Sequence, residues 1–257
     1  MKQTPKKPAK GHPNPSLSPS KSRPPFNVDD ASTYCLAADR VLRSALDNNL
    51  PLAQHFVDSI FGEGTFVVES YNLQEGGYQH PNGKFFFFDF LATDQLGRYI
   101  NIEVQLSHGE TIPKRIRENQ AHIDNNQLAT GMMATDLKDI YIVFISYKDI
   151  LGLGLPKYTS KIVIEESPEH PFSNLGVHYI IVNAEQADPS TPLGQFVLDL
   201  FSLNEDNMYD KKMAKALKKT KTPFGIQEVK SKMGNFWDDV RADASDMRAK
   251  EIVDSLI

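Results

Sequence analysis

Apolar residues recur at roughly helical spacing from Ala31 to Phe61, at Leu36, Val41, Leu42, Leu46, Leu52, Phe56 and Ile60, the stripe an amphipathic helix lays against a core. Pro51 divides this stretch into two predicted helices, because proline suits a first helical turn and disrupts an interior. The period then shortens. Thr65–Leu73, Lys84–Asp94 and Arg98–Ser107 are rich in β-branched and aromatic residues and are bounded by Gly and Asn turns, which predicts strands. A helix is predicted over Ile112–Thr130, with Pro113 in its first turn and Gly131 just past its end, the usual punctuation. Strands are predicted at Ile140–Tyr147, Lys161–Glu165 and His178–Asn183, and helices at Pro192–Leu203, Asp206–Lys221 and Gly225–Ile252. This order predicts an α/β fold with a central mixed β-sheet flanked by helices and a helical C-terminal region.

The segment Asp94-Gln95-Leu96-Gly97-Arg98 carries a glycine where a three-residue hairpin loop needs a left-handed residue. If Asp94 faces Arg98, then Ala92 faces Ile100, Phe90 faces Ile102, Phe88 faces Val104 and Phe86 faces Leu106, all on one apolar face. The same register sets Leu91 opposite Asn101, Asp89 opposite Glu103 and Phe87 opposite Gln105 on the other face. Directly opposed carboxylates repel and destabilise a sheet. A divalent cation relieves that repulsion, and magnesium takes one or two carboxylates together with waters and substrate phosphate. A solvated sheet face, or one carboxyl kept protonated by a raised pKa, accounts for the pair without a ligand.

Composition narrows the setting. The chain has 257 residues, 40% of them hydrophobic, sufficient for one large core with appendages. The single cysteine, Cys35, excludes an internal disulfide framework and sits with no zinc-site spacing. No apolar run reaches the roughly 18 residues of a membrane helix, and no signal-peptide pattern opens the chain; a cytoplasmic protein without a membrane partner is expected. Residues 1–28 hold Lys2, Lys6, Lys7, Lys10, Lys21 and Arg23 and no acid, so this tail carries +6 and, the total being −5, the rest carries −11. Its prolines and polar residues predict disorder. Contact with a polyanion must therefore be local. Three regions are expected: the basic tail 1–28, a core over 29–190 and a helical region over 191–257.

The run from Asp89 through Asp94, Gly97 and Arg98 to Glu103-Val104-Gln105 resembles the PD-(D/E)xK nuclease family transposases, also called the Rpn family of recombination-promoting nucleases. In that family an aspartate ends one strand and Glu-x-Gln or Glu-x-Lys lies on the next. The likeness extends through Pro113-Lys114-Arg115, Gln127–Gly131, Ile140–Ser146, Gly152–Tyr158 and the segment around Asn204–Tyr209. It implies a restriction-endonuclease-like core, a Mg2+ cofactor with Mn2+ as an alternative, and hydrolysis of DNA phosphodiesters. Asp89 and Glu103 would be catalytic metal ligands. Gln105 would be a catalytic residue at the position where the wider superfamily has lysine, although an amide orients only by hydrogen bonds. Asp39-Arg40-Val41-Leu42-Arg43 is nearest to the family's opening Asp-x-x-Phe-Lys helix, with Leu for Phe and Arg for Lys, and makes Asp39 a candidate accessory acid, against the plainer readings of a solvated helix residue or an N-terminal cap.

Other residues are weighed for DNA contact. Arg115 carries a planar fork that matches phosphate oxygens, whereas Lys114 reads as surface charge. Lys211, Lys212, Lys215, Lys218, Lys219 and Lys221 fall on one predicted helix with no acid among them; Lys211, Lys215, Lys218 and Lys219 are candidate backbone contacts, against the plainer reading of a solvated face. His108 reads as a loop residue or as a proton carrier at the site rim. Ile226, Val229, Met233, Phe236, Val240, Ala244 and Met247 form a stripe that serves docking onto the core or homo-oligomer formation. Two functions stay open on these grounds: an active DNA endonuclease, or a catalytically weak relative that binds DNA or protein.

Overall fold

The computed structural model describes residues 27, 29–73, 78–79, 85–86, 88–105, 112–128, 131–172 and 174–231. The basic tail up to residue 26, His108, and the predicted helix beyond Ser231 lie outside them. Helix α1 (Asp39–Leu46) and helix α2 (Leu50–Phe61) flank Asn49, whose side chain caps α2 by accepting from Leu52 N, with Pro51 in the first turn. Strand β1 (Val68–Asn72) follows, then the short pair β2 (Tyr78–Gln79) and β3 (Phe85–Phe86), then β4 (Phe90–Asp94) and β5 (Tyr99–Gln105). Helix α3 (Ile112–Gln127) leads to β6 (Ile140–Ser146), β7 (Lys157–Thr159), the small hairpin β8 (Val163–Ile164) and β9 (Ser167–Pro171), and β10 (Val177–Asn183). Helices α4 (Pro192–Leu200), α5 (Lys211–Thr220) and α6 (Pro223–Ser231) close the described chain.

Six strands form one mixed sheet in the order β1-β4-β5-β6-β10-β7. Strands β1, β4 and β5 are antiparallel neighbours, β5–β6 and β6–β10 are parallel, and β7 returns antiparallel on β10. A parallel step requires a crossover element. Helix α3 supplies it between β5 and β6 and lies against β6.

The two faces of the sheet serve different cores. Phe90, Ala92, Ile100, Ile102, Val143, Ile145, Ile180 and Val182 join one buried cluster with side chains of α1, α2, α4, α5 and α6. Ile140, Ile142, Phe144 and Ile181 face the other way, into a cluster with Ile112, Ile116 and Ile123 of α3. Burial on both faces explains why β6 reads as an almost unbroken apolar run. The C-terminal helices thus share a core with the sheet.

The expected hairpin register holds from Phe90↔Ile102 through Leu91↔Asn101 and Ala92↔Ile100 to Thr93↔Tyr99. Asp94 N donates to Arg98 O at 3.1 Å, and Gly97 sits at φ +76°. Asp94 is 1% exposed and its carboxylate accepts from Leu96 N and Arg98 N, while Arg98 pairs with it and lies over Phe66.

Three expectations are corrected, and strands are present that the pattern did not announce. The predicted strand Lys84–Asp94 is two strands: β3 pairs with β2 in a separate two-stranded sheet, and β4 starts only at Phe90. Phe88, expected on the face of Phe90, packs instead in the α3 cluster, because the chain bends at Asp89 between them. Strands β7 and β9 have no strong alternation to announce them, and β9 contains Pro168 and Pro171, which is tolerated at an edge. The predicted helix Asp206–Lys221 is a 3-10 turn, Glu205–Asn207, followed by α5.

Gly97 provides a test of the hairpin. A Cβ added there would meet nothing closer than the Lys138 side chain at 3.6 Å, so the cost is that of a left-handed backbone alone, about 1–2 kcal/mol. Urea unfolding of Gly97→Ala is expected to show that loss, and Gly97→Asn a smaller one. Equal stability of all three proteins would remove the hairpin from the account.

Candidate active site

Strand β5 alternates sharply in character. Ile100 and Ile102 enter the larger core, while Asn101 and Glu103, both 0% exposed, point to the α3 side. There they occupy the layer that Ile142 and Phe144 fill on the next strand. Placing polar groups in that layer is costly unless each is hydrogen-bonded.

The partners come from three elements. Asn101 Nδ2 donates to Glu103 Oε1 at 3.0 Å and to the Phe90 carbonyl at 3.1 Å. Asn119 of α3, 1% exposed, donates to Asn101 Oδ1 at 2.7 Å. One turn earlier on the same helix face, Arg115 Nη2 donates to Glu103 Oε2 at 2.8 Å and Nη1 donates to Gln105 Oε1. The guanidinium lies 5.1 Å from the centre of the Phe144 ring.

Asp89 reaches Glu103 by a route different from simple cross-strand pairing. With Asp94–Arg98 hydrogen-bonded, every second pair is of that type, so Val104 N would in a continued ladder bond the carbonyl of Phe88. The ladder stops at Phe90, and Val104 N donates instead to Asp89 Oδ2 at 2.9 Å, while Asp89 N donates to Glu103 Oε1 at 3.2 Å. A side chain has replaced a backbone acceptor. This locks the two acids together at the point where β4 leaves β5.

The electrostatics follow from burial. Glu103 is pushed well above the usual carboxylate range by burial first and by the Asp89 charge second, against the opposing effects of Asn101 and Arg115. Asp89 is also pushed up, by burial and then by Asp39, with Val104 N, Arg115 and Arg43 acting the other way. Asp39 therefore stands close enough to be felt. It accepts from Arg43 Nη2 at 2.8 Å, an i,i+4 pair on α1, and the Nε of the largely buried Arg43 has no hydrogen-bond partner among the described residues.

The structure thus brings Asp89, Glu103, Gln105 and Arg115 into contact and Asp39 beside them. Asn101 and Asn119 escaped the sequence reading. Both were signalled: Asn101 shares the face of Glu103, and Asn119 lies four residues beyond Arg115 on one helix face. Lys211, Lys212, Lys215, Lys218 and Lys219 are exposed on α5, which packs against α1, the helix that carries Asp39. Lys221 is engaged elsewhere, donating to Leu203 O and Glu205 Oε2. Lys114 is exposed. Among the described residues no three His, Cys, Asp or Glu side chains group as a metal site, and no helix is long and apolar enough to cross a membrane.

Asp199, another buried acid that sequence reading missed, sits on α4. It accepts from Tyr209 N and Asp210 N at 2.7 Å each, and burial pushes its pKa up to about 6. It ties the turn before α5 to α4 at the edge of a cleft of about 190 Å3, which shares no lining residue with the carboxylate pair.

No curated protein and no solved structure matches the chain. The sequence profile described as PD-(D/E)XK nuclease family transposase matches residues 45–229, which run from the end of α1 into α6 and include both acids of the pair. With a mixed six-stranded sheet flanked by helices and a match over most of its length, this chain belongs to the PD-(D/E)XK nuclease family transposases.

Proposed function

We propose that this protein is a metal-dependent DNA endonuclease that hydrolyses phosphodiesters. The observation that carries this is the convergence of the half-buried Asp89 and the buried Glu103 in one hydrogen-bonded network, each made harder to ionise by its surroundings. A pair of acids held this way is destabilising by itself and fits a cation.

Asp89 and Glu103 would hold the ion. Two carboxylates suit Mg2+, which keeps waters and accepts substrate oxygens, and Mn2+ accepts the same donors. When bound, the ion supplies a water made acidic enough to attack and neutralises the phosphate. The chain's own groups set this up. Asn101 and Arg115 hold the two oxygens of Glu103, Val104 N holds Asp89, and Asp39 adds negative potential from α1. Gln105 orients by hydrogen bonding, and the exposed lysines of α5 supply backbone contacts that the acidic remainder of the chain does not. A second reading, a family member that binds DNA with little or no cutting, draws on Gln105 standing where a lysine is usual. Retention of DNA without nicking in any divalent ion would select it.

Plasmid nicking in Mg2+ or Mn2+ tests the assignment. Asp89→Ala and Glu103→Ala are each expected to reduce it by at least ~100-fold, the scale of losing one electrostatic group at a reacting centre. Undiminished nicking in both would falsify the assignment.

The raised pKa values make a second prediction with a definite sign. Both acids titrate higher in the folded chain than in the unfolded one. Without metal their contribution to stability is therefore full at acid pH and is lost as pH rises through the raised values. Asp89→Asn removes the repulsion and keeps an acceptor for Val104 N. In chelator it is expected to melt about 2–4 °C above the wild type at pH ~8, for about 1 kcal/mol regained, with the gap closing toward pH ~4. Mn2+ should reverse the order. A variant that melts lower than the wild type in chelator at alkaline pH would show that the pair is not strained.

A further inference from the structure

We propose that Arg115 of α3 is the group that receives the scissile phosphate at this site, its outer N–H groups binding a non-bridging oxygen. This deepens the nuclease reading and rests on it.

Three observations lead there. Gln105, at the position where the superfamily lysine would stand, is neutral, and its Oε1 is occupied by Arg115 Nη1. The cation of the site has come from the crossover helix instead of the strand. Next, a guanidinium has five N–H donors. Arg115 spends one on Glu103 and one on Gln105, and its side chain keeps 34% exposure while Glu103 keeps 1%. Two donors hold Glu103 and Gln105, and the partly exposed side chain keeps its other N–H groups for a further acceptor. Arg43, the other arginine acting on the pair, is largely buried and engaged with Asp39.

Charge balance gives the third. With Asp39, Asp89 and Glu103 all ionised, as holding a cation requires, they outweigh Arg43 and Arg115 by one negative charge before the ion is counted. A divalent ion turns this to one net positive, the charge a single phosphodiester cancels. Without Arg115 the loaded site is neutral and has nothing left to attract an anion. Bidentate binding of phosphate oxygens is what the guanidinium plane does best.

Mn2+ calorimetry, affinity for a DNA duplex in Ca2+, and plasmid nicking in Mg2+ test this on the full chain. Arg115→Met keeps an apolar stem of similar length and loses the charge; Arg115→Lys keeps the charge and loses the fork, and serves if the first does not fold. For Arg115→Met the expected result is Mn2+ affinity equal to or above the wild type, DNA affinity lower by about 10–100-fold, as for a lost hydrogen bond to a charged group, and nicking lower by ~100-fold or more. Arg115→Lys should recover part of the DNA affinity. If Arg115 only holds Glu103 in place, Mn2+ affinity falls in parallel with nicking, and the proposal is overturned. It is also overturned, with the nuclease reading intact, if either variant binds and cuts DNA as the wild type does. A wild type that neither holds nor cuts DNA removes both readings together.

Discussion

The carboxylates of Asp89 and Glu103 lie within one hydrogen-bonded network at the edge where β4 parts from β5. Two like charges in a weakly polarisable interior repel strongly, and neither can be fully hydrated there. Everything around them compensates in part: Val104 N, the Asn101 amide and one arm of the Arg115 guanidinium. The compensation is incomplete, which is why both acids resist ionisation. Such a site favours any process that brings positive charge to it.

Its position depends on the crossover. Because β5 and β6 are parallel, the chain must travel back along the sheet, and α3 does so over the face that carries Asn101 and Glu103. The helix faces the sheet with two kinds of residue. Ile112, Ile116 and Ile123 seal against Phe144, Ile142 and Phe88, while Arg115 and Asn119 reach the polar pair. The apolar part anchors the helix, and the anchored helix aims the polar part. On the opposite face α1 packs with α5 and α6 and brings Asp39 and Arg43 toward the same place. The site thus lies at the junction of both layers.

Much of this was legible in the residues. Gly97 needed a left-handed φ and has one, Asp94 and Arg98 close the loop, and alternation from Phe90 to Thr93 set the register. Pro51 placed the start of α2. The same alternation misled where it was extended too far. Lys84 to Asp94 reads as one strand, yet the ladder stops at Phe90 and Phe88 changes sides. Periodicity records which residues tolerate a strand; it does not record a bend whose cause is a side chain bonding a backbone N–H across the gap.

The sequence by itself determined most of the element types, the hairpin, and an acid on β5 facing another just before β4, because these depend on local dihedral preference and on a period of two or 3.6 residues. Only the tertiary structure decided that α3 covers the acids, that Arg115 grips Glu103 and Gln105 together, that Asn101 and Asn119 complete the network, and that Asp39 is felt by Asp89 from α1. Those relations join residues far apart along the chain. They are set by how the layers pack, a property of summed apolar burial over the whole domain that no local pattern encodes.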